Sequence, residues 1–340
     1  MNSDFLADEV KVSIVVLTYN QEATIARTLD SILMQNRDFP IEIIIGDDAS
    51  KDHTEEICKE YAARYPDIVR YYRNESNIGL LDNYYNCILR AKGEYIADVA
   101  GDDFWIDKDK IKKQVEILDK EHNVNLVCSD WKIYDESTAI LSSPWKDGKY
   151  PYQDLFKDKN LTLKLLSHLN PSVVHLCTSM YRKNSFLELY NKDPFPFRNK
   201  DFLIEDLQLI VLLSTIGEFK FIDSPTLAYS VHSNSFSGTK DSTKIFDLYY
   251  ASLKLTRYLA EKTGITHTQL NNVYSRLIHF ITTQAFHAKD KSRIQKVKKL
   301  IEDWEFEPIF KTRILLKISN NYSVWRISQL IWTLLKDIKR

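Results

Sequence analysis

Three acidic dipeptides stand where the chain could do chemistry. Asp47-Asp48 follows the apolar run IEIIIG (41–46), Asp102-Asp103 follows EYIADVA (94–100), and Glu205-Asp206 opens an apolar, helix-like stretch at about residues 203–215. Adjacent carboxylates repel, so solvent, a cation or a donor-rich ligand has to offset them. A divalent cation held by carboxylate would bridge the oxygens of a diphosphate. Because side chains alternate along a strand, one acid of such a pair can face the metal and the other a ribose hydroxyl. A lone Asp-Asp pair is usually a turn or a cap. Two pairs at two strand ends weaken that explanation. A further polar cluster, Thr18-Tyr19-Asn20, closes the first apolar run, VSIVVL (12–17).

The elements that would position these residues follow from periodicity. VSIVVL, IEIIIG, IVRYYR (68–73), EYIADVA and VNLVCSD (124–130) are short β-branched or apolar runs, which suit buried strands. Between them lie helical patterns. Ile25, Leu29 and Ile32 recur at helical spacing behind Asn20 as N-cap, and helices are expected at about 52–64 and 80–91. Asp107 is placed to cap a helix bearing Ile111, Val115 and Leu118. Strand–helix alternation with short links predicts an α/β fold, a mostly parallel Rossmann-like sheet flanked by helices. Ligands of such sheets bind beyond the carboxyl ends of the strands. That places Thr18-Tyr19-Asn20, Asp47-Asp48 and Asp102-Asp103 on one rim. Residues 131–200 give no clear pattern. FKFIDSPTLAYSVHSNSFSG (219–238) passes from a strand into a Ser/Asn/Gly loop, and long helical periodicity follows. The expected domains are 1–238 and a helical C-terminal region, 239–340.

Composition excludes several classes. The 340 residues carry a net charge of −1, so no nucleic-acid partner is expected. Cys58, Cys87, Cys128 and Cys177 are scattered singly and match no zinc module. The acidic N-terminus does not resemble a signal peptide, and no stretch has the apolar length of a membrane span. The expected location is the cytoplasm. Neither GxGxxG nor GxxxxGK[ST] occurs, so a bound nucleotide would need its phosphates neutralised by other means.

SIVVLTYNQEATI, IIIGDDASKDHT and NIGLLDNYYNCILRAKGEYIADVAGDDFW, in that order and spacing, resemble the family 2 glycosyltransferases, inverting enzymes of GT-A fold. The likeness covers about residues 11–235. It implies transfer of a sugar from a nucleotide-diphosphate donor, most simply UDP-linked, to a saccharide or lipid-linked saccharide in bacterial surface polysaccharide synthesis. It implies that Thr18, Tyr19 and Asn20 hold the base, that Asp48 accepts a hydrogen bond from it with Asp47 alongside, and that Asp103 ligates Mn2+ or Mg2+ while Asp102 faces ribose or sugar. The motif here is GDD-Phe-Trp rather than a strict Asp-x-Asp. Ile204-Glu205-Asp206 resembles the family's ED motif. An inverting transfer needs one base to deprotonate the acceptor hydroxyl. Asp206 is assigned that role, with Glu205 orienting the acceptor and a helix N-terminus expected to lower the carboxylate pKa. His232 is a candidate for the metal or the diphosphate, in a loop suited to close as a lid. Trp105 and Phe104 are candidates for stacking under the acceptor, with core packing the alternative for Phe104.

Two rivals stand. A sugar nucleotidyltransferase would want a basic Gly-rich loop after the first strand, and TYNQEATI is neither. A non-catalytic binding module would not need a base. At residues 311–340, seven Lys or Arg face one acid, and Val324, Ile327, Ile331, Leu334 and Ile338 recur at helical spacing beside Trp325 and Trp332. This segment either lies in a membrane interface on the inner face of the cell membrane or docks its apolar side onto protein. The region is also where contacts to an acceptor or to a second copy of the chain would fall.

Overall fold

The structure, a computed structural model, describes residues 9–145, 147–167, 173–231, 241–321 and 323–325. Its contacts divide the chain into two compact units, Met1–Ser233 and Asn234–Arg340.

The first unit starts as strand–helix alternation: β1 (Val12–Thr18), α1 (Ile25–Leu33), β2 (Ile41–Asp47), α2 (Thr54–Arg64), β3 (Val69–Arg73), α3 (Leu80–Arg90) and β4 (Tyr95–Ala100). These four strands lie in the order β3-β2-β1-β4, all parallel. Beyond β4 come β5 (Phe104–Trp105), α4 (Lys110–Lys120), β6 (Val124–Asp135), β7 (Ile140–Ser142), α5 (Leu161–Leu166), β8 (Met180–Arg182), α6 (Lys183–Lys192), α7 (Phe195–Arg198), α8 (Asp206–Leu213) and β9 (Glu218–Val231). Here the sheet turns mixed. β8 is antiparallel to both β4 and β6, β9 runs parallel to β6, β5 is antiparallel to β9, and β7 hairpins onto β6. Residues 131–200, without a clear pattern in the sequence, supply the end of β6 together with β7 and β8.

Alternation along the strands sorts the two faces. Ile14 and Val16 of β1, Ile43 and Ile45 of β2 and Ala97 and Val99 of β4 pack with Ile25, Leu29 and Ile32 of α1 and Ile111, Val115 and Leu118 of α4 in one core. The opposite face meets α3, whose Asn83 donates to the Gly46 carbonyl (2.9 Å). Behind α3, Tyr85 stacks on Phe186 and meets Phe197 edge-on.

Two expected caps fall elsewhere. Asn20 does not cap α1. It sits in the left-handed region at φ 53°, and its side-chain oxygen accepts from the Lys51 N–H (2.8 Å), tying the β1 loop to the β2 loop. Thr24 occupies the N-cap position of α1. Asp107 accepts from the Asp109 N–H (2.9 Å) one turn before α4, whose N-cap position is Asp109.

The second unit is helical: α9 (Ser242–Thr263), α10 (Asn271–His287), α11 (Lys291–Asp303) and α12 (Phe310–Ile318). Asp241 caps α9 by accepting from Thr243 and Lys244, and Gly264 ends it at φ 72°. Trp325 is buried and stacks on Phe286 of α10, with its indole N–H donating to the Phe286 carbonyl (3.0 Å). Residues 326–340, with Trp332 and most of the basic stripe, lie outside the described residues. Among the described residues, no helix is long and apolar enough to cross a membrane.

Gly46 allows α3 its close approach. A Cβ there would meet Cys87 Sγ at 2.4 Å and Asn83 Oδ1 at 3.0 Å. Gly46→Ala is expected to cost about 1–3 kcal/mol through overpacking. Adding Cys87→Ala should recover part of it. Urea denaturation of both variants checks this, and a double variant no more stable than additivity allows contradicts it.

Candidate active site

The parallel register builds the rim. Thr18 stands opposite Asp47, and Leu17 stands opposite Ala100, so the ends of β2, β1 and β4 lie level. Asp47 is fully buried and accepts from the Ser50 N–H (2.9 Å), the Ser50 hydroxyl (2.6 Å) and the Tyr71 hydroxyl (2.7 Å). The Asn20 N–H donates to Ser50 Oγ (2.9 Å). Asp47 and Asn20 therefore shape the rim. Asp48 accepts from the Asn74 amide (2.9 Å) and the Ile78 N–H (2.8 Å) on Oδ1, and from the Gly79 N–H (2.9 Å) on Oδ2. A carboxylate has about four acceptor positions, so these bonds fix the loop before α3 and leave one position on Oδ2.

A cavity of about 300 Å³ opens on this rim, on the α3 face of the sheet. Four of the residues expected at the site line it: Thr18, Tyr19, Asp48 and Glu205. Asn20, Asp47, Asp102, Asp103 and Asp206 are not on its wall. His232 lies outside the described residues.

The Asp102-Asp103 segment is held against α1. Thr28 Oγ1 donates to the Asp103 carbonyl (2.6 Å), and Arg27 donates to the Asp102 carbonyl (3.1 Å) while lying over the Phe104 ring, 4.3 Å from its centroid. Pairing of β5 with β9 draws Asp103 inward. It is 1 % exposed, its Oδ1 accepts from the Ser230 N–H (2.9 Å), and its Oδ2 is sealed without a partner. Burial, then the Asp102 charge, push its carboxyl well above the usual range. Asp103 is thus the interior acid of the pair, and the half-buried Asp102 is the one nearer solvent. The expected division of roles, Asp103 on a metal and Asp102 on a hydroxyl, does not match these depths. The same pairing places Trp105 in the core, 3 % exposed, with its indole N–H donating to the Cys177 carbonyl (3.3 Å). Phe104 packs edge-on with Tyr134.

The acids do fit a hard divalent cation in kind. Carboxylate oxygens are its preferred ligands, and such an ion usually takes only one or two of them, completing its shell with phosphate oxygens and water. Among the described residues no cluster of three His, Cys, Asp or Glu could cage a metal from the protein alone.

Glu205 occupies the N-cap position of α8 and Asp206 its first turn. The Tyr85 hydroxyl donates to the Glu205 carbonyl (2.6 Å), and Asp206 Oδ1 accepts from the Leu207 N–H (2.6 Å). The helix N-terminus was expected to lower these pKa values, yet burial outweighs it. Glu205 is pushed up to about 8 by burial and then by Asp206, and burial raises Asp206 too.

Sequence reasoning passed over Asp98 and Gln21, which also line the cavity. Asp98 had a signal: it is the one charged residue inside the buried strand YIADVA.

The chain matches the family model for glycosyl transferase family 2 over residues 13–189, and it belongs to that family. It is 29% identical over 262 residues to the dTDP-rhamnosyl transferase RfbG of Shigella flexneri, covering 74% of this chain and 83% of that one. It spans only 39% of the length of uncharacterized mycobacterial relatives that it matches at 41% identity over 140 residues. Among solved structures, S. aureus TarS 1-349 in complex with UDP-GlcNAc aligns with a TM-score of 0.57 at 19% identity, over 85% of this chain and 78% of that one. The mannosyltransferase PcManGT from Pyrobaculum calidifontis, in complex with GDP-Man and Mn2+, aligns at 0.52 and 14% identity, over 95% and 88%. The fold is the GT-A fold of these structures.

Glu205 sets a pH dependence. Its folded pKa of about 8 lies above the ordinary 4.5, so between those values the folded chain keeps a proton that the unfolded chain releases. The stability that proton contributes is complete below the unfolded value and is lost as pH rises through the folded one. Glu205→Gln is expected to gain in Tm over the wild type progressively across that window and to show no trend below it. Thermal melts at a series of pH values check this, and a pH-independent difference contradicts it.

Proposed function

We propose that the chain is a metal-dependent inverting glycosyltransferase that moves a sugar from a nucleoside-diphosphate donor, UDP-linked in the simplest case, to a saccharide hydroxyl. The carrying observation is the cavity at the carboxyl ends of parallel strands, lined by Thr18, Tyr19, Asp48 and Glu205 among others. The remaining acceptor position of Asp48 suits a base N–H, and the half-exposed Tyr19 ring suits the base face. Family membership supports the reaction class, and the nucleotide sugars held by TarS and PcManGT support the donor class.

Asp102, the acid nearer solvent, is assigned to the cation, with Asp103 beneath it fixing the segment through Ser230. Bound there, the cation would neutralise the departing diphosphate. The acceptor must approach the anomeric carbon from the side opposite that leaving group, so its base belongs beside the donor cavity and not inside it. Asp206 meets that requirement next to Glu205, which forms part of the wall. Asp206 removes the proton from the acceptor hydroxyl, and Glu205 orients the groups at the cavity edge. His232 and the loop after β9 are assigned to closure over the diphosphate. Residues 1–238 form the catalytic part, and 239–340 serve contacts with a lipid-linked acceptor, a membrane surface or a second copy. We assign the chain to assembly of a bacterial surface polysaccharide, with the catalytic part on the cytoplasmic side, and the rhamnosyl transfer in the name of RfbG supports glycosyl transfer as the reaction.

Asp206→Asn is expected to lower kcat by about 10²–10⁴-fold with the affinity for nucleoside diphosphate unchanged. Transfer assays over a panel of nucleotide sugars, paired with calorimetric titration of the nucleotide, check this. Transfer that survives the substitution removes Asp206 from the base role. A wild type that binds no nucleotide, with or without Mn2+, contradicts the whole assignment.

A further inference from the structure

The cavity does not end at the rim. Asp98 lies two residues before the end of β4, about 7 Å inward at a strand rise near 3.3 Å per residue. It pairs with Val15 of β1 and, by alternation, faces the same side as Ala100. All three residues line the cavity. Asp98 is 4 % exposed, and neither of its carboxylate oxygens has a hydrogen-bond partner. The adjacent Tyr84 hydroxyl shares a hydrogen bond with the Tyr181 hydroxyl (3.1 Å), in which either can donate, and it is the neighbour that pulls hardest against burial at Asp98. Burial drives the carboxyl up to about 8, against the pull of Tyr84 and Lys110.

Asp98 is not alone. Thr18 Oγ1 and Gln21 Oε1, on the wall of the same cavity, are also buried and unpartnered. Each buried unmet polar group costs about 1–3 kcal/mol, so a cluster of them at one cavity calls for a ligand to meet them. The chemistry of the cluster says which kind. Its unmet atoms are the two Asp98 oxygens, the Gln21 amide oxygen and the Thr18 hydroxyl, a set that both accepts and, through the hydroxyl and a protonated carboxyl, donates, which matches hydroxyl groups that do the same. A group rich in O–H donors satisfies them. β1 lies between β2 and β4, so the end of β4 is two strand spacings from the end of β2, about 10 Å. A donor anchored by its base at Asp48 can therefore place one of its hydroxyl-bearing rings over Asp98.

On the reading of this cavity as the nucleotide-sugar site, we propose that Asp98 is a specificity-determining residue that accepts a hydrogen bond from a hydroxyl of the bound donor at the bottom of the cavity. Two rings of such a donor carry hydroxyls, the ribose and the transferred sugar, and the test separates them.

Titration calorimetry of UDP and of a panel of UDP-sugars, with Mn2+ present, compares the wild type with Asp98→Asn and Asp98→Leu. Loss of one such bond is worth about 5–100-fold in affinity, larger for Leu than for Asn, which keeps one acceptor. Weakening of UDP and UDP-sugar alike assigns the hydroxyl to ribose. Weakening confined to the UDP-sugar assigns it to the transferred sugar. Thermal melts separate a ligand-facing role from a structural one. An unpartnered buried carboxylate is a burden on the free protein, so both variants are expected to hold or raise Tm. Unchanged affinities for every ligand, or affinities lost only together with a fall in Tm in both variants, overturn the proposal. Should the wild type bind neither UDP nor any UDP-sugar, the glycosyltransferase assignment fails and this one with it. Binding of UDP and of every UDP-sugar that is indifferent to residue 98 overturns this one alone.

Discussion

The parallel pairing of β1 with β2 on one side and β4 on the other is the constraint from which the site follows. Backbone hydrogen bonds set Thr18 level with Asp47 and Leu17 level with Ala100. Residues some 30 and 80 positions apart in the chain are thereby brought to one edge. A slip of one residue would turn every side chain of a strand to the opposite face. Ile14, Val16, Ile43 and Ile45 would leave the core on the α1 side, and Val15, Leu17 and Asp98 would leave the cavity. The apolar face therefore fixes the geometry of the polar rim.

On that rim the acids divide into those that build and those that face outward. Asp47 is consumed by Ser50 and Tyr71, and Asp103 is locked through Ser230. Of their neighbours, Asp102 is the more exposed member of its pair, and Asp48 keeps one acceptor position on Oδ2. In both pairs carboxylates hold backbone, Asp47 through Ser50, Asp48 through Ile78 and Gly79, and Asp103 through Ser230. This answers the repulsion of adjacent like charges: Asp47 and Asp48 are held by different donors, and Asp102 and Asp103 lie at different depths. Burial of Asp98, Asp103, Glu205 and Asp206 raises all four carboxyls above their ordinary values.

The first half of the sheet was legible because its strands are continuous apolar runs bounded by polar turns. The acid clusters were legible because they interrupt those runs at their ends. Residues 131–200 were not, for a physical reason. β6 continues past Asp130 into the alternating WKIYD, held by long-range pairing with β9. β8 is three residues long and exists only because β4 and β6 flank it. The aromatic packing there, Trp131 on Trp145 and Tyr150 on Phe221, joins residues far apart in sequence. No local period announces such contacts. The division of work within each acid pair was illegible as well, since depth below the surface comes from β5 pairing with β9.

The most direct test is a crystal structure of the chain soaked with UDP and Mn2+. The account requires the uracil N–H within hydrogen-bond distance of Asp48 Oδ2, its ring against Tyr19, and the diphosphate reaching toward Asp102. A nucleotide seated away from the β1, β2 and β4 ends, or one whose base ignores Asp48, would contradict it.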